Sequence, residues 1–173
     1  MPADAASPAS QRDERWSPLL LGILFALEIS AFFVHIASDV APFYPLGADQ
    51  TVYLTRAYNL AIAVRSEGIE RLLDPFLGPF QANGFLFPVQ GAVGGMLIGS
   101  PRAGALSVNL LAFLGLQVVV FLTFRSIAGR SIAWVAVALI LAMKNPFMLV
   151  GGIYDFRIDF YALCFFGIWC CAV

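Results

Sequence analysis

Charged residues are scarce in this chain. They make up 12% of its 173 residues, whereas hydrophobic residues make up 60% and the mean hydropathy is +0.83. A water-soluble domain has about 25% charged and about 45–50% apolar residues, so this composition excludes an ordinary soluble domain. The net charge is −1, and without a basic excess nothing favours nucleic acid as a partner.

Histidine and cysteine are scarce as well. His35 is the only histidine, and Cys164, Cys170 and Cys171 all lie in the last apolar run, with no Cys-x-x-Cys pair. Disulfides and thiolate metal sites are therefore weak interpretations, and we interpret the cysteines as apolar packing groups. Any metal site would depend on oxygen ligands, which suit Mg²⁺ or Mn²⁺.

Long apolar runs are what the sequence does contain. A transmembrane helix needs about 20 mainly apolar residues. The runs that predict spans are residues 17–37, 103–124, 132–150 and 160–173. The last of these is still helical in character where the chain stops, which suggests the N-terminal piece of a longer protein. We therefore predict an all-α polytopic membrane bundle of about four spans.

The ends of this bundle are predicted from composition. Residues 1–15 are rich in Ala, Ser and Pro and end in a charge cluster, which predicts a disordered cytoplasmic tail ahead of a transmembrane domain over residues 16–173. Lys144-Asn145-Pro146 interrupts the end of the third run.

Residues 85–99 are ambiguous, because they carry no charge but contain Pro88 and four glycines. The positive-inside rule favours a segment that does not cross. In that case the flanking arginines share the cytoplasmic side: Arg12, Arg15, Arg125 and Arg130. We predict a partly inserted or re-entrant segment, covered by protein where its backbone is irregular.

The first outer loop is then long, spanning residues 38–102. Within it, residues 51–64 are predicted to form an amphipathic helix in the membrane interface. Residues 66–73 are predicted to form a second short helix, ended by Asp74-Pro75.

Acidic residues of the two predicted outer loops are the candidates for chemistry. Asp49 lies just ahead of the amphipathic helix. Its carboxylate could act as a general base, as a metal ligand or as a helix N-cap. Asp155 and Asp159 flank Arg157 at the start of the last apolar run. This second group could hold a divalent cation or a phosphate, or it could be an ordinary interfacial charge cluster.

Glu28 lies near the middle of the first span. Acids in such positions face the bundle interior and are often functional. The alternative is a protonated or hydrogen-bonded structural residue, paired with Asn109 or Gln117 of the second span. We favour the structural role, because Glu28 is too deep to reach the outer loops.

The order of four stretches resembles the C superfamily of membrane glycosyltransferases, in particular the protein mannosyltransferase and aminoarabinose transferase branches. The stretches are residues 47–57 with Asp49 and Arg56, residues 87–101 with Pro88, the basic turn 124–130, and residues 151–159 with the second acidic group. The family often has a second acid where this chain has Gln50, and a second proline where it has Phe87.

The resemblance implies transfer of a sugar from a polyprenyl-phosphate carrier to an acceptor on the non-cytoplasmic face of the inner (plasma) membrane. Asp49 would be the catalytic base. Arg56, Asp155, Arg157 and Asp159 would bind donor or acceptor, with Mg²⁺ or Mn²⁺ at Asp155 and Asp159 as an option. Membrane lipid would be a further partner. The alternative is a non-catalytic polytopic subunit or a transporter fragment in which Glu28 is the coupling residue.

Overall fold

The computed structural model describes residues 8–42, 48–77, 86–148 and 151–173, with only the backbone given for residues 8–15, Ala48 and Pro101. Within these ranges the chain is all-helical and has no strand. Its helices are α1 (Pro8–His35), α2 (Ala48–Glu67), α3 (Asp74–Leu77), α4 (Leu86–Ile98), α5 (Pro101–Ala128), α6 (Arg130–Ala142) and α7 (Ile158–Ala172). A π-helical turn, Ile36–Val40, continues α1.

Two of the described helices are long and apolar enough to cross a membrane, by length and composition. They are Trp16–Val40 and Arg102–Ala128, with 25 and 27 residues and a hydropathy of 2.3 each. At about 1.5 Å rise per residue, each exceeds the roughly 30 Å hydrocarbon layer. α6 and α7 are shorter apolar helices, with 13 and 15 residues.

Two predicted boundaries differ from the structure. α1 begins at Pro8, so residues 8–15, which we expected in a disordered tail, belong to this helix, while residues 1–7 lie outside the described ranges. The run 132–150 does not form one helix. α6 ends at Ala142, and Asn145–Phe147 form a 3₁₀ turn. Pro146 has no N–H for a helix to use, which explains the early end.

α5 is the helix on which the others pack. α6 folds back along it after Gly129, and the rings of Phe121 and Trp134 meet at 5.0 Å between centroids. α7 runs in the same direction as α5. Near the start of α7, Phe160 contacts Phe113 of α5, and near the end of α7 the Cys171 carbonyl accepts a hydrogen bond from Thr123, which lies further along α5. α1 is antiparallel to α5, because Leu21 packs in a cluster with Phe121 whereas Glu28, further along α1, bonds to the earlier residue Gln117. α1 and α6 thus run one way, and α5 and α7 run the other.

α4 and α5 form a tight antiparallel hairpin. The segment that we predicted to be partly inserted or re-entrant has a regular helical backbone from Leu86, rather than an irregular one, with Phe85 outside the described ranges. Pro88 is tolerated because it lies in the first turn. Gly99, at φ +78°, turns the chain between the helices. A Cβ at Gly94 or Gly104 would overlap the other residue's carbonyl, so glycine permits this close approach.

α2 matches the predicted amphipathic helix and extends it at both ends. Its polar residues Thr55 and Asn59 are not buried, whereas Leu54 and Ala57 are buried. The predicted second helix is instead a 3₁₀ turn, Ile69–Leu73, that leads into α3. Asp74-Pro75 therefore begins a helix rather than ending one, because proline in the first turn leaves no helical bond unmade.

Candidate functional site

Two amide side chains hold the loop between α6 and α7. Asn109 of α5 donates from Nδ2 to the carbonyls of Ile153 (3.3 Å) and Asp155 (2.8 Å). Gln50 of α2 donates from Nε2 to the Tyr154 carbonyl at 3.2 Å. Both amides are buried. The two loops that we predicted on the outer side, far apart in sequence, are therefore joined directly.

Aromatic rings complete this junction. Phe156 stacks on Phe87 of α4, with 4.3 Å between centroids, and its ring fills the space that a side chain at Gly91 would need. The ring of Tyr53 meets Phe87 edge-on at 5.8 Å. Tyr154 stacks on Phe32 of α1 at 5.7 Å. Side chains of α1, α2, α4 and α5 thus all contact the loop or its immediate neighbours.

The Asp155 side chain is bonded to other residues of the same loop. Its Oδ2 accepts hydrogen bonds from the Gly151 backbone N–H and from Nε of Arg157, each at 2.6 Å, and it also pairs with Nη2 of Arg157. Gly151 adopts φ +79°, which glycine allows without strain. Asp155 is buried. The carboxylate is therefore used to shape the loop and to orient Arg157.

One face of α2 carries three polar groups toward the start of α7. Asp49, Tyr53 and Arg56 follow one another at helical spacing from the first turn onward. Because α2 begins at Ala48, Asp49 lies inside the first turn and not at the N-cap. An acid there is stabilised by the helix dipole. Asp49 is exposed, whereas the Tyr53 ring is buried.

Charged residues of both loops affect the pKa of the Tyr53 phenol. Burial, followed by the negative charges of Asp49 and Asp159, raises the pKa of the Tyr53 phenol above its ordinary value, and Arg56 acts in the opposite direction. The phenol therefore keeps its proton at neutral pH and remains a hydrogen-bond donor. Asp49, Arg56 and Asp159, all singled out from the sequence, thus act electrostatically on one side chain to which no role was assigned from the sequence.

Arg56 retains donor capacity. Its Nη1 is buried and has no hydrogen-bond partner in the described part of the chain. Buried donors are usually paired, and a guanidinium binds phosphate oxygens in a fixed fork. Arg56 is thus suited to hold an anion. By contrast, Arg71 of the neighbouring turn is paired with Glu67 and Asp74.

The potential metal ligands are few at this site. Among the described residues, no three His, Cys, Asp or Glu side chains cluster closely enough to hold an ion. Asp155, one of the two ligands considered from the sequence, is already bonded to Arg157. This leaves the exposed carboxylates of Asp49 and Asp159, which are acids of the kind a phosphate-bound Mg²⁺ uses.

An apolar groove of about 550 Å³ lies between α4, α5 and α7. Small residues in its lining include Gly94, Ala112 and Gly115. Its polar lining includes Gln90 and Tyr161, which are joined by a 2.7 Å hydrogen bond from Nε2 to the phenol oxygen. The Tyr161 ring is 5.3 Å from that of Phe87. Phe87 in turn contacts Tyr53, so one aromatic ring separates this polar part of the groove from Tyr53.

The sequence analysis missed Gln50, Tyr53 and Asn109 as parts of the site. Tyr53 could have been found from its helical spacing to Asp49 and Arg56. The two amides gave no such signal, because their partners are backbone carbonyls of a distant loop.

Comparison of the chain with protein-family models, with curated proteins and with solved structures finds no match.

Proposed function

We propose that this chain is a membrane glycosyltransferase, or the N-terminal part of one, that moves a sugar from a polyprenyl-phosphate carrier to an acceptor on the non-cytoplasmic face. The observation that supports this is the convergence of the two acidic loops. Gln50 bonds to Tyr154, and Tyr53 feels both Asp49 and Asp159. A carboxylate, a phenol and a guanidinium with an unused donor then share one surface.

The proposed membrane arrangement has four spans in the inner (plasma) membrane, with the N-terminus cytoplasmic. The alternating directions of α1, α5, α6 and α7 are consistent with this arrangement. Arg125 and Arg130 then flank the turn at Gly129 on the cytoplasmic side, as the positive-inside rule requires. α6 and α7 would reach across the bilayer with help from the turns that follow or precede them, since about 20 residues are needed.

In the proposed reaction, the acceptor hydroxyl oxygen attacks the anomeric carbon while the bond from that carbon to the phosphate oxygen breaks. Asp49 takes the hydroxyl proton, a step that typically contributes roughly 10²–10⁴-fold. The departing phosphate keeps the bonding electron pair, and Arg56 balances its charge. Tyr53 donates a hydrogen bond at the same surface, and Asp159 orients the acceptor.

The apolar groove supports a lipid-linked donor. Its lining is almost wholly hydrocarbon, and the Gln90–Tyr161 pair in it is linked to Tyr53 through the ring of Phe87. An amphipathic donor would therefore lay its chain along α4, α5 and α7 and present its phosphate near Arg56.

The test is sugar transfer in vesicles that contain the full-length protein and a polyprenyl-phosphate sugar. We expect Asp49→Asn to insert normally and to lose roughly 10²–10⁴-fold in rate. Glu70→Gln is the matched control, because Glu70 is an acid of the same outer loop outside the site. Transfer by Asp49→Asn at the wild-type rate would remove Asp49 from the mechanism.

Comparison of Asp49→Asn with Glu28→Gln separates the alternative functions. A transporter fragment predicts that Glu28→Gln abolishes uptake while Asp49→Asn does not. A non-catalytic subunit predicts that neither change alters transfer by the complex to which it belongs. The transferase proposal predicts the reverse pattern, with Asp49→Asn impaired and Glu28→Gln active.

A further inference from the structure

An acid and a buried amide meet halfway along the two long helices. Gln117 of α5 donates from Nε2 to Oε2 of Glu28 in α1 at 2.7 Å, as one of the two pairings considered from the sequence. Gln117 is fully buried. The other oxygens, Oε1 of Glu28 and Oε1 of Gln117, are also buried and have no hydrogen-bond partner in the described part of the chain.

These two remaining oxygens are both acceptors if Glu28 is ionised, and each would then be left without a donor. A proton on Oε1 of Glu28 supplies the missing donor. A carboxylic acid and a primary amide each offer one donor and one acceptor in a plane. The acid can accept from the amide N–H and donate to the amide oxygen, so one proton satisfies both buried oxygens.

The helices around this pair offer no charge that would stabilise a carboxylate. Apart from Glu28, residues 16–34, 103–124 and 131–143 carry no charged side chain in the sequence, and α7 carries none after Asp159. The ionisable groups of α1 with its π-helical turn, of α5 and of α6 lie toward the helix ends in the sequence: Arg12, Asp13, Glu14, Arg15, His35, Asp39, Arg102, Arg125 and Arg130. An isolated charge in an apolar interior is neutralised by a proton when no partner is present.

We propose that Glu28 and Gln117 form a proton-binding site between α1 and α5, midway along both helices, where the Glu28 carboxyl holds a proton at neutral pH and donates a hydrogen bond to Oε1 of Gln117. Two hydrogen bonds then tie α1 to α5. The pair is uncharged as a whole, which lets α1 cross the apolar layer with an acid in its middle. This inference does not depend on the proposed transferase activity.

Infrared spectroscopy of the full chain in lipid vesicles tests the protonation state. Wild-type protein at neutral pH should show the C=O absorption of a protonated carboxylic acid, and Glu28→Gln should abolish it. Glu70→Gln, which changes an acid of the outer loop, should leave the band unchanged. Absence of a protonated-acid band from the wild-type protein, or its persistence in Glu28→Gln, would overturn the proposal.

The paired geometry has its own test. Two amides can form the same two-bond ring, so Glu28→Gln should unfold at nearly the wild-type denaturant concentration. Gln117→Leu should shift the Glu28 C=O band to higher frequency, because the carboxyl loses its partner, and should lower the unfolding midpoint. An unshifted band in Gln117→Leu would show that the protonated Glu28 carboxyl is not hydrogen-bonded to Gln117. The infrared test on wild-type protein stands even if a variant fails to fold.

Discussion

Single residues hold the loop between α6 and α7 against the neighbouring helices. Asn109 is buried within α5, and its amide nitrogen bonds to two carbonyls of the loop that precedes α7. An acid at the same position has no N–H to offer while it is ionised, and an apolar residue would leave both carbonyls without this donor. The position of the Asp155–Arg157 pair therefore depends on an uncharged amide far from it in sequence.

We expect Asn109→Leu to destabilise the fold and to release the loop. The Ile153 carbonyl would lose its donor, whereas the Asp155 carbonyl keeps the Arg157 backbone N–H. A buried carbonyl left unpaired costs about 1–3 kcal/mol, so the free energy of unfolding should fall by about that amount. Hydrogen exchange should accelerate at Gly151 and Asp155, whose N–H groups bond within the loop. Asn59→Leu, on the polar face of α2, is the control and should change neither quantity. Unchanged exchange in Asn109→Leu would contradict the role assigned to this amide.

Three tyrosines of α2 and of the loop before α7 predict a response to alkaline pH. Burial raises the pKa of Tyr53, Tyr58 and Tyr154 above the ordinary value of about 10. A folded-state pKa that is raised contributes stability that is complete below the unfolded-state pKa and is lost as pH rises through the folded-state pKa. The structure should therefore be unaffected at neutral pH and should weaken above about pH 10.

Ultraviolet absorbance of tyrosinate during alkaline titration measures this effect. We expect a late-titrating set of tyrosines in the wild-type protein, and Tyr53→Phe should remove one member of it. Titration of Tyr53 at the value of a free phenol would show that its ring is not buried against Phe87 and that Asp49 and Asp159 do not act on it.

At the scale of elements, the α4–α5 hairpin depends on glycine. The backbones of the two helices touch at Gly94 and Gly104, where a Cβ would overlap a carbonyl. This contact sets how close α4 lies to α5, and α4 in turn presents Phe87 to both Phe156 and Tyr53. The spacing of the hairpin thus controls the geometry of the site.

Gly104→Ala should therefore separate the helices. The added methyl meets backbone atoms of Gly94 and Gly95, which cannot rotate away, so we expect a loss of about 1–3 kcal/mol in the free energy of unfolding. Gly22→Ala is the matched control, because no atom of the described residues lies within 4 Å of the methyl that alanine would add on α1. That change should be neutral or stabilising by up to about 1 kcal/mol. Equal effects of the two changes would contradict the close hairpin.

At the scale of the whole molecule, apolar runs were sufficient to predict an all-helical chain with long first and second spans. They also predicted a partner for Glu28, because a buried acid needs one and α5 offers two amides. They did not predict the end of α6 at Ala142 or the regular helix over residues 86–98. The link from Gln50 to Tyr154 crosses 104 positions and depends on the packing of α2, α4 and α5, which no local pattern encodes.

Labelling of introduced cysteines tests the proposed topology. We expect Asn59→Cys to react with an impermeant maleimide from the non-cytoplasmic side, and Ser126→Cys to react only after the membrane is opened. Labelling of the wild-type protein gives the background reaction of its own cysteines, of which Cys164 is buried. Reaction of both introduced cysteines from one side would refute the proposed span count.

The use of amides to join the loops has a further consequence. Neither Gln50 nor Asn109 gains or loses a proton between acidic and alkaline conditions, and salt screens neutral hydrogen bonds far less than exposed ion pairs. On the proposed non-cytoplasmic face, the site would meet changing acidity and ionic strength. Its two acidic segments would remain in register through such changes, because the ties between them carry no charge that those conditions could alter.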